Sequence, residues 1–186
     1  MKLNRLISSS LIISSLILSL PFAASAKNAV KKDFDYVALG DSLAAGRTPY
    51  GEHKDGYVDY LSDRFVQSQY KIELDNYGVS GYRTTNILNE LTNQANPKYN
   101  SLRASIKDAE LVTIDIGAND LLAKLEDIQK NPSLATSVLQ TIGGNLHLIL
   151  SQIDSFNDNT KVYVMGYYNP YPHRTNQASC FITFAV

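Results

Sequence analysis

Residues 37–46 read VALGDSLAAG, and the fold turns on how this stretch is read. The apolar run Tyr36-Val37-Ala38-Leu39 is stopped by Gly40, as a short buried strand would be. Asp41 and Ser42 follow, then small residues resume. Two local readings of Ser42 are open. It is either a nucleophile displayed at the end of a strand or, with Asp41, a cap for the next helix.

Working outward, the same pattern recurs along the chain. Ile72 to Tyr77 alternates loosely and stops at Gly78. Leu111 to Ile116 is the clearest strand and stops at Gly117. Val162 to Met165 is a fourth, closed by Gly166. Between them lie helix-like segments. Tyr57 to Tyr70 carries Val58, Leu61, Phe65 and Val66 near helical spacing, and Thr84 to Thr92 carries Ile87, Leu88 and Leu91. Leu121 to Gln129 and Leu134 to Phe156 also read as helices, the second kinked or split at Gly143-Gly144.

Apolar strands alternating with helices predict a parallel sheet covered on both faces. In such sheets ligands gather outside the carboxyl ends of the strands. The first three post-strand segments are Gly40-Asp41-Ser42, Gly78-Val79-Ser80-Gly81 and Gly117-Ala118-Asn119-Asp120. They bring a hydroxyl, a glycine amide and a side-chain amide to one edge. A nucleophile with two donors is the equipment of acyl transfer. Each residue also has a bland role. Gly81 suits a turn, and Asn119 with Asp120 suits a helix N-terminus, Asp120 being read as a structural cap.

GDSL at 40–43, NYGVSGYRT at 76–84 and GAND at 117–120 resemble the first three blocks of the SGNH, or GDSL, hydrolases. The likeness runs from about Phe34 to Pro172, and YYNPYP at 167–172 resembles the segment after the fourth strand in bacillus-type secreted members. It implies a three-layer α/β/α sandwich with a flavodoxin-like parallel sheet. It also implies esterase or lipase chemistry on a small-molecule or lipid ester. Ser42 would be the nucleophile. The N–H groups of Ser42 and Gly81 and the Asn119 amide would form the oxyanion hole. Gly-x-Ser-x-Ala at 40–44 is not the G-x-S-x-G elbow of the α/β-hydrolases.

The family takes its base from a late Asp-x-x-His block. The histidines here are His53, His147 and His173, preceded three positions earlier by Tyr50, Gly144 and Pro170. None fits. His147 reads as a packed or half-exposed residue of the long helix, His53 as solvated in GEHKDG, and His173 as a poor substitute base. The pattern fades after His173 into FITFAV, so the last strand and helix are expected to be missing. Weak catalysis, an exposed sheet edge and marginal folding would follow. A non-catalytic binding domain and a non-functional fragment are the alternatives.

Lys2 and Arg5, the apolar Leu11–Leu20 run and Ala24-Ser25-Ala26 form a secretory signal pattern. That divides the chain into a signal peptide, 1–26, and an exported domain, 27–186. The apolar core is short for a membrane span. Net charge is −1, and about −3 without Lys2 and Arg5, which gives no basic face for nucleic acid. Cys180 is the only cysteine, so no internal disulfide can form. No metal-ligand spacing or phosphate-cradling loop is present, and no cofactor is expected. The loops 47–56 and 93–100 are expected to line the cleft, without naming a substrate.

Overall fold

The computed structural model of the chain describes residues 31–166. The signal-peptide segment, His173, Cys180 and the YYNPYP run lie outside them. The element order is β1 (Lys32–Gly40), α1 (Tyr57–Gln67), β2 (Tyr70–Asn76), α2 (Thr84–Thr92), α3 (Tyr99–Asp108), β3 (Leu111–Asp115), α4 (Ala118–Leu122), α5 (Leu125–Lys130), α6 (Leu134–Phe156) and β4 (Lys161–Val164). All strand pairings are parallel, in the order β2-β1-β3-β4.

Alternation along each strand builds the layers. Val37 and Leu39 of β1, with Val112 and Ile114 of β3, face one side. There they pack with Ile87 and Leu91 of α2, Leu102 and Ile106 of α3, and the Ile142, Leu146, Ile149 and Ile153 stripe of α6. Tyr36, Ala38 and Leu111 face the other side, against Val58, Leu61 and Phe65 of α1. Helices therefore cover both faces, and the α/β sandwich read from the sequence is what the chain forms. On the α1 side Tyr163 is 64% exposed, and Met165 is exposed beside it.

Several local readings need correction. The chain forms one continuous helix, α6, through Gly143-Gly144. Its apolar stripe keeps helical spacing across the pair, and burial of that stripe outweighs about 1 kcal/mol of propensity lost per glycine. The segment read as one helix over 121–129 is two short ones, α4 and α5, parted at Ala123-Lys124. Residues 93–100 are not simply a cleft loop, because α3 begins at Tyr99. β1 starts four residues earlier than its apolar run, at Lys32.

That early half of β1 carries an electrostatic burden. Asp35 has its carboxyl held above the ordinary carboxylate value, first by burial and then by Glu110, Glu73, Asp108 and Asp33. The folded state thus binds this proton more tightly than the unfolded chain does. Stability tied to Asp35 falls as pH rises through the raised value, and the full cost is present at neutral pH. Asp35→Asn should raise the thermal midpoint at pH 7 slightly, by about 1 °C at low salt, because solvent screens this partly exposed carboxyl. The gain should shrink at about 0.5 M salt, where exposed charges are screened. A melting series at two salt concentrations checks this, and an unchanged or lower midpoint at low salt would contradict it.

Candidate active site

The strand order reverses between β1 and β3, the place where open parallel sheets bind ligands. Ser42 follows β1 and Asn119 follows β3, so both stand at that point. The junction is tight. Asp41 N–H donates to Asp115 O at 3.0 Å, and Val79 N–H donates to Gly40 O at 3.1 Å, extending the sheet past its strands. A Cβ on Gly78 would lie 2.6 Å from Ala45 N, and one on Gly40 2.6 Å from Asp115 O. These glycines are required by the close approach of the three segments.

After Gly40 the chain makes a tight turn, closed by Ala45 N–H to Asp41 O at 3.0 Å, and no helix starts before Tyr57. The cap is Asp41, whose Oδ1 accepts from Leu43 N–H at 3.1 Å. Ser42 is therefore not the capping residue. Its hydroxyl, half-buried, reaches Asp41 Oδ1 at 3.5 Å, the outer limit of a hydrogen bond.

Gly81 is a turn glycine with a second consequence. Tyr82 N–H closes on Val79 O at 3.0 Å, and Gly81 occupies the third position at φ +85°, where a side chain would be strained. Nothing lies within 4 Å of where its Cβ would be. Conformation requires glycine here, as the turn reading of the sequence expects. Among the described residues, neither the Gly81 N–H nor the Ser42 N–H has an acceptor.

Asn119 ties the three segments together. Its Nδ2 donates to Asp41 Oδ2 at 3.2 Å and to Tyr82 O at 2.9 Å. The next residue, Asp120, is a cap, but for a different helix than its position suggests. Its carboxylate accepts from Thr84 N–H at 3.0 Å and Thr84 Oγ1 at 2.8 Å, closing the N-terminus of α2. Asn145 of α6 donates to the same Thr84 hydroxyl at 2.8 Å. Two phenols, the buried Tyr36 and the half-buried Tyr57, also converge beneath α1. Tyr36 and Tyr57 reach Thr113 Oγ1 at 2.8 and 3.5 Å, and burial pushes both phenols above their ordinary value, so they stay neutral.

Neither described histidine, His53 or His147, is hydrogen-bonded to the Ser42 hydroxyl. His53 is exposed and its Nδ1 lies 3.0 Å from Ala45 O, in a hairpin that pairs Arg47 with His53. It is tethered rather than simply solvated. His147 lies on α6, in the long helix as expected, but it is exposed rather than packed or half-exposed, because it stands off the buried Leu146 and Ile149 stripe. Among the described residues, no group of three or more His, Cys, Asp or Glu could hold a metal ion.

Sequence reasoning missed Tyr82, Glu90 and Lys98. Tyr82 O–H donates to the buried Glu90 at 2.6 Å, and Lys98 pairs with Glu90 at 2.8 Å. A glutamate on the apolar face of α2, one residue before the buried Leu91, was the available signal.

Comparison with known proteins agrees with this layout. The lipase Lip_vut3 from a goat rumen metagenome superposes with a TM-score of 0.63 at 24% identity, covering 76% of this chain and 67% of that one. TesA superposes at 0.52 with 23% identity, covering 75% and 64%. At such identities the likeness speaks for the fold alone. The uncharacterized protein YpmR of Bacillus subtilis (strain 168) is 29% identical over 146 residues, which are 76% of this chain. The chain spans about half, 54%, of that relative's length. Residues 38–180, which contain Ser42, Gly81 and Asn119, match the GDSL-like lipase/acylhydrolase family, and the chain belongs to it.

Proposed function

We propose that this site carries out acyl transfer from carboxylic esters, with Ser42 as nucleophile. The Ser42 hydroxyl would attack the ester carbonyl, form an acyl-enzyme and release the alcohol; water would then release the acid. The N–H groups of Ser42 and Gly81 and the Asn119 amide would receive the developing oxyanion. One observation carries the reading. Asn119 links the segment that holds Ser42 to the one that holds Gly81, through Asp41 and the Tyr82 carbonyl, and among the described residues the N–H groups of Ser42 and Gly81 have no acceptor. Both Asn119 amide hydrogens are engaged at rest. The longer bond, to Asp41, is the one that would yield to the oxyanion.

The base is the weak element. These 186 residues contain no Asp-x-x-His, and the described histidines do not reach Ser42. Loss of the histidine in serine hydrolases costs on the order of 10⁶-fold in turnover. The reading is therefore an ester-hydrolase site with strongly impaired turnover in this polypeptide. Hydrolysis of p-nitrophenyl butyrate by the full chain and by Ser42→Ala tests both halves. Slow hydrolysis that falls with Ser42→Ala supports the reading. Rapid, Ser42-dependent turnover would overturn the impairment, and identical rates in both proteins would overturn the nucleophile. A non-catalytic binding role is favoured only by the missing base. Calorimetry with a non-hydrolysable ester analogue would reveal it as binding without product.

Export is proposed with it, on the charged, apolar and small-residue succession of residues 2–26. Expression in a secreting bacterium should yield extracellular protein beginning at Lys27 by mass spectrometry. Intracellular protein retaining Met1 would contradict export.

A further inference from the structure

We propose that Tyr82, Glu90 and Lys98 are positioning residues that fix the Asn119 amide for acyl transfer. The proposal rests on the reading of the site given above.

The argument starts from a buried charge. The Glu90 side chain is 4% exposed, and a buried carboxylate is costly unless it is paired and hydrogen-bonded. It has two partners. Lys98 Nζ lies 2.8 Å from Oε1, and Tyr82 O–H donates to the same oxygen at 2.6 Å. Lys98 Nζ also donates to the Tyr82 hydroxyl at 3.1 Å and stands 5.0 Å from its ring centroid. Burial pulls Lys98 down, yet the hydrogen bonds to Glu90 and Tyr82 outweigh it and hold the amine above its ordinary value. The lysine stays charged.

Three of these four contacts converge on one phenol, and the fourth joins its two partners. At the other end of that residue, Tyr82 O accepts from Asn119 Nδ2 at 2.9 Å. The preceding residue is Gly81, at φ +85° with open space where a side chain would be, so besides the turn bond from Tyr82 N–H to Val79 O it is the Tyr82 ring that holds this backbone. Anchoring the ring anchors the carbonyl, and the carbonyl aims the amide. Of the two Asn119 bonds, the one to Tyr82 is shorter and would persist while the other hydrogen turns to the oxyanion. An apolar trio would often be as stable as a buried ion pair, so the polar arrangement is better explained by orientation than by stability.

The test uses the full chain and two readouts. The Asn119 side-chain amide resonances are recorded near pH 6. The rate at which a fluorophosphonate modifies Ser42 is measured near pH 9, where hydroxide can take the serine proton. In that reaction the Ser42 oxygen–phosphorus bond forms and fluoride leaves. Tyr82→Phe and Glu90→Gln should each shift the Asn119 amide pair and slow labelling by roughly 10- to 100-fold. Unchanged resonances and labelling, with only a lower melting temperature, would show that the trio merely ties α2 to the segment before α3, and the proposal would be wrong. A wild-type chain that takes no label while its variants still shift the amide would support the coupling and overturn the acyl-transfer reading instead. If Glu90→Gln fails to fold, Tyr82→Phe, which removes a single oxygen, carries the test.

Discussion

Asn119→Ala should slow modification of Ser42 by an ester or fluorophosphonate by roughly 100- to 1,000-fold, the usual cost of removing one oxyanion donor. The expectation is strong here because this side chain has no substitute. The other two donors are backbone N–H groups, which a side-chain replacement leaves in place. Asn119 alone reaches all three segments, bonding Asp41 on one side and the Tyr82 carbonyl on the other. The substitution also removes a donor from each of those groups, at about 1–3 kcal/mol of stability for each one left buried without a partner. A melting curve beside the labelling rate separates the two effects. Labelling within about threefold of wild type, in a folded protein, would remove Asn119 from the chemistry.

The second large effect concerns the base, for which these 186 residues hold no Asp-x-x-His block. Serine hydrolases stripped of the triad retain roughly 10³- to 10⁴-fold acceleration over water, from the oxyanion hole and binding. The chain should therefore hydrolyse p-nitrophenyl butyrate slowly, at a rate that climbs with hydroxide instead of levelling off near neutral pH. Free imidazole should raise that rate in the wild type and leave Ser42→Ala at background. A plateau with a midpoint near 7 and no response to imidazole would mean that a histidine of this chain already serves Ser42. That result would overturn the impairment.

What the sequence made legible follows from where the physics is local. Strand ends are local events. An apolar run stopped by glycine reads the same in one dimension as in three, so Ser42, Gly81 and Asn119 could be placed on one edge. The α2 boundaries, Thr84–Thr92, match for the same reason. The α3 helix was hidden because it presents only Leu102 and Ile106 as buried residues, amid serine, asparagine and charge. The first half of β1 was hidden because Lys32 and Asp33 are exposed there, leaving no alternation to detect. The glycine pair in α6 misled because tertiary packing decided a matter that propensity favoured only weakly.

The contacts that organise the site were harder to foresee. Asp120 faces Thr84 across 36 residues, and no helix-capping rule looks that far. Asn119 uses a backbone carbonyl, an acceptor every residue possesses, so its choice of Tyr82 carries no sequence signal. Ser42 was ambiguous for the opposite reason, because serine is common at helix starts. The tight turn at 41–46, capped by Asp41, removes the helix-cap reading of Ser42.

The central claim is that Ser42 is set apart from the other serines by the donors around it. The most direct measurement is peptide mapping of the full chain after fluorophosphonate treatment near pH 9. The account predicts an adduct on Ser42, absent from Ser42→Ala and much slower to form in Asn119→Ala. An adduct spread over exposed serines such as Ser68 and Ser101, forming equally fast in all three proteins, would contradict it.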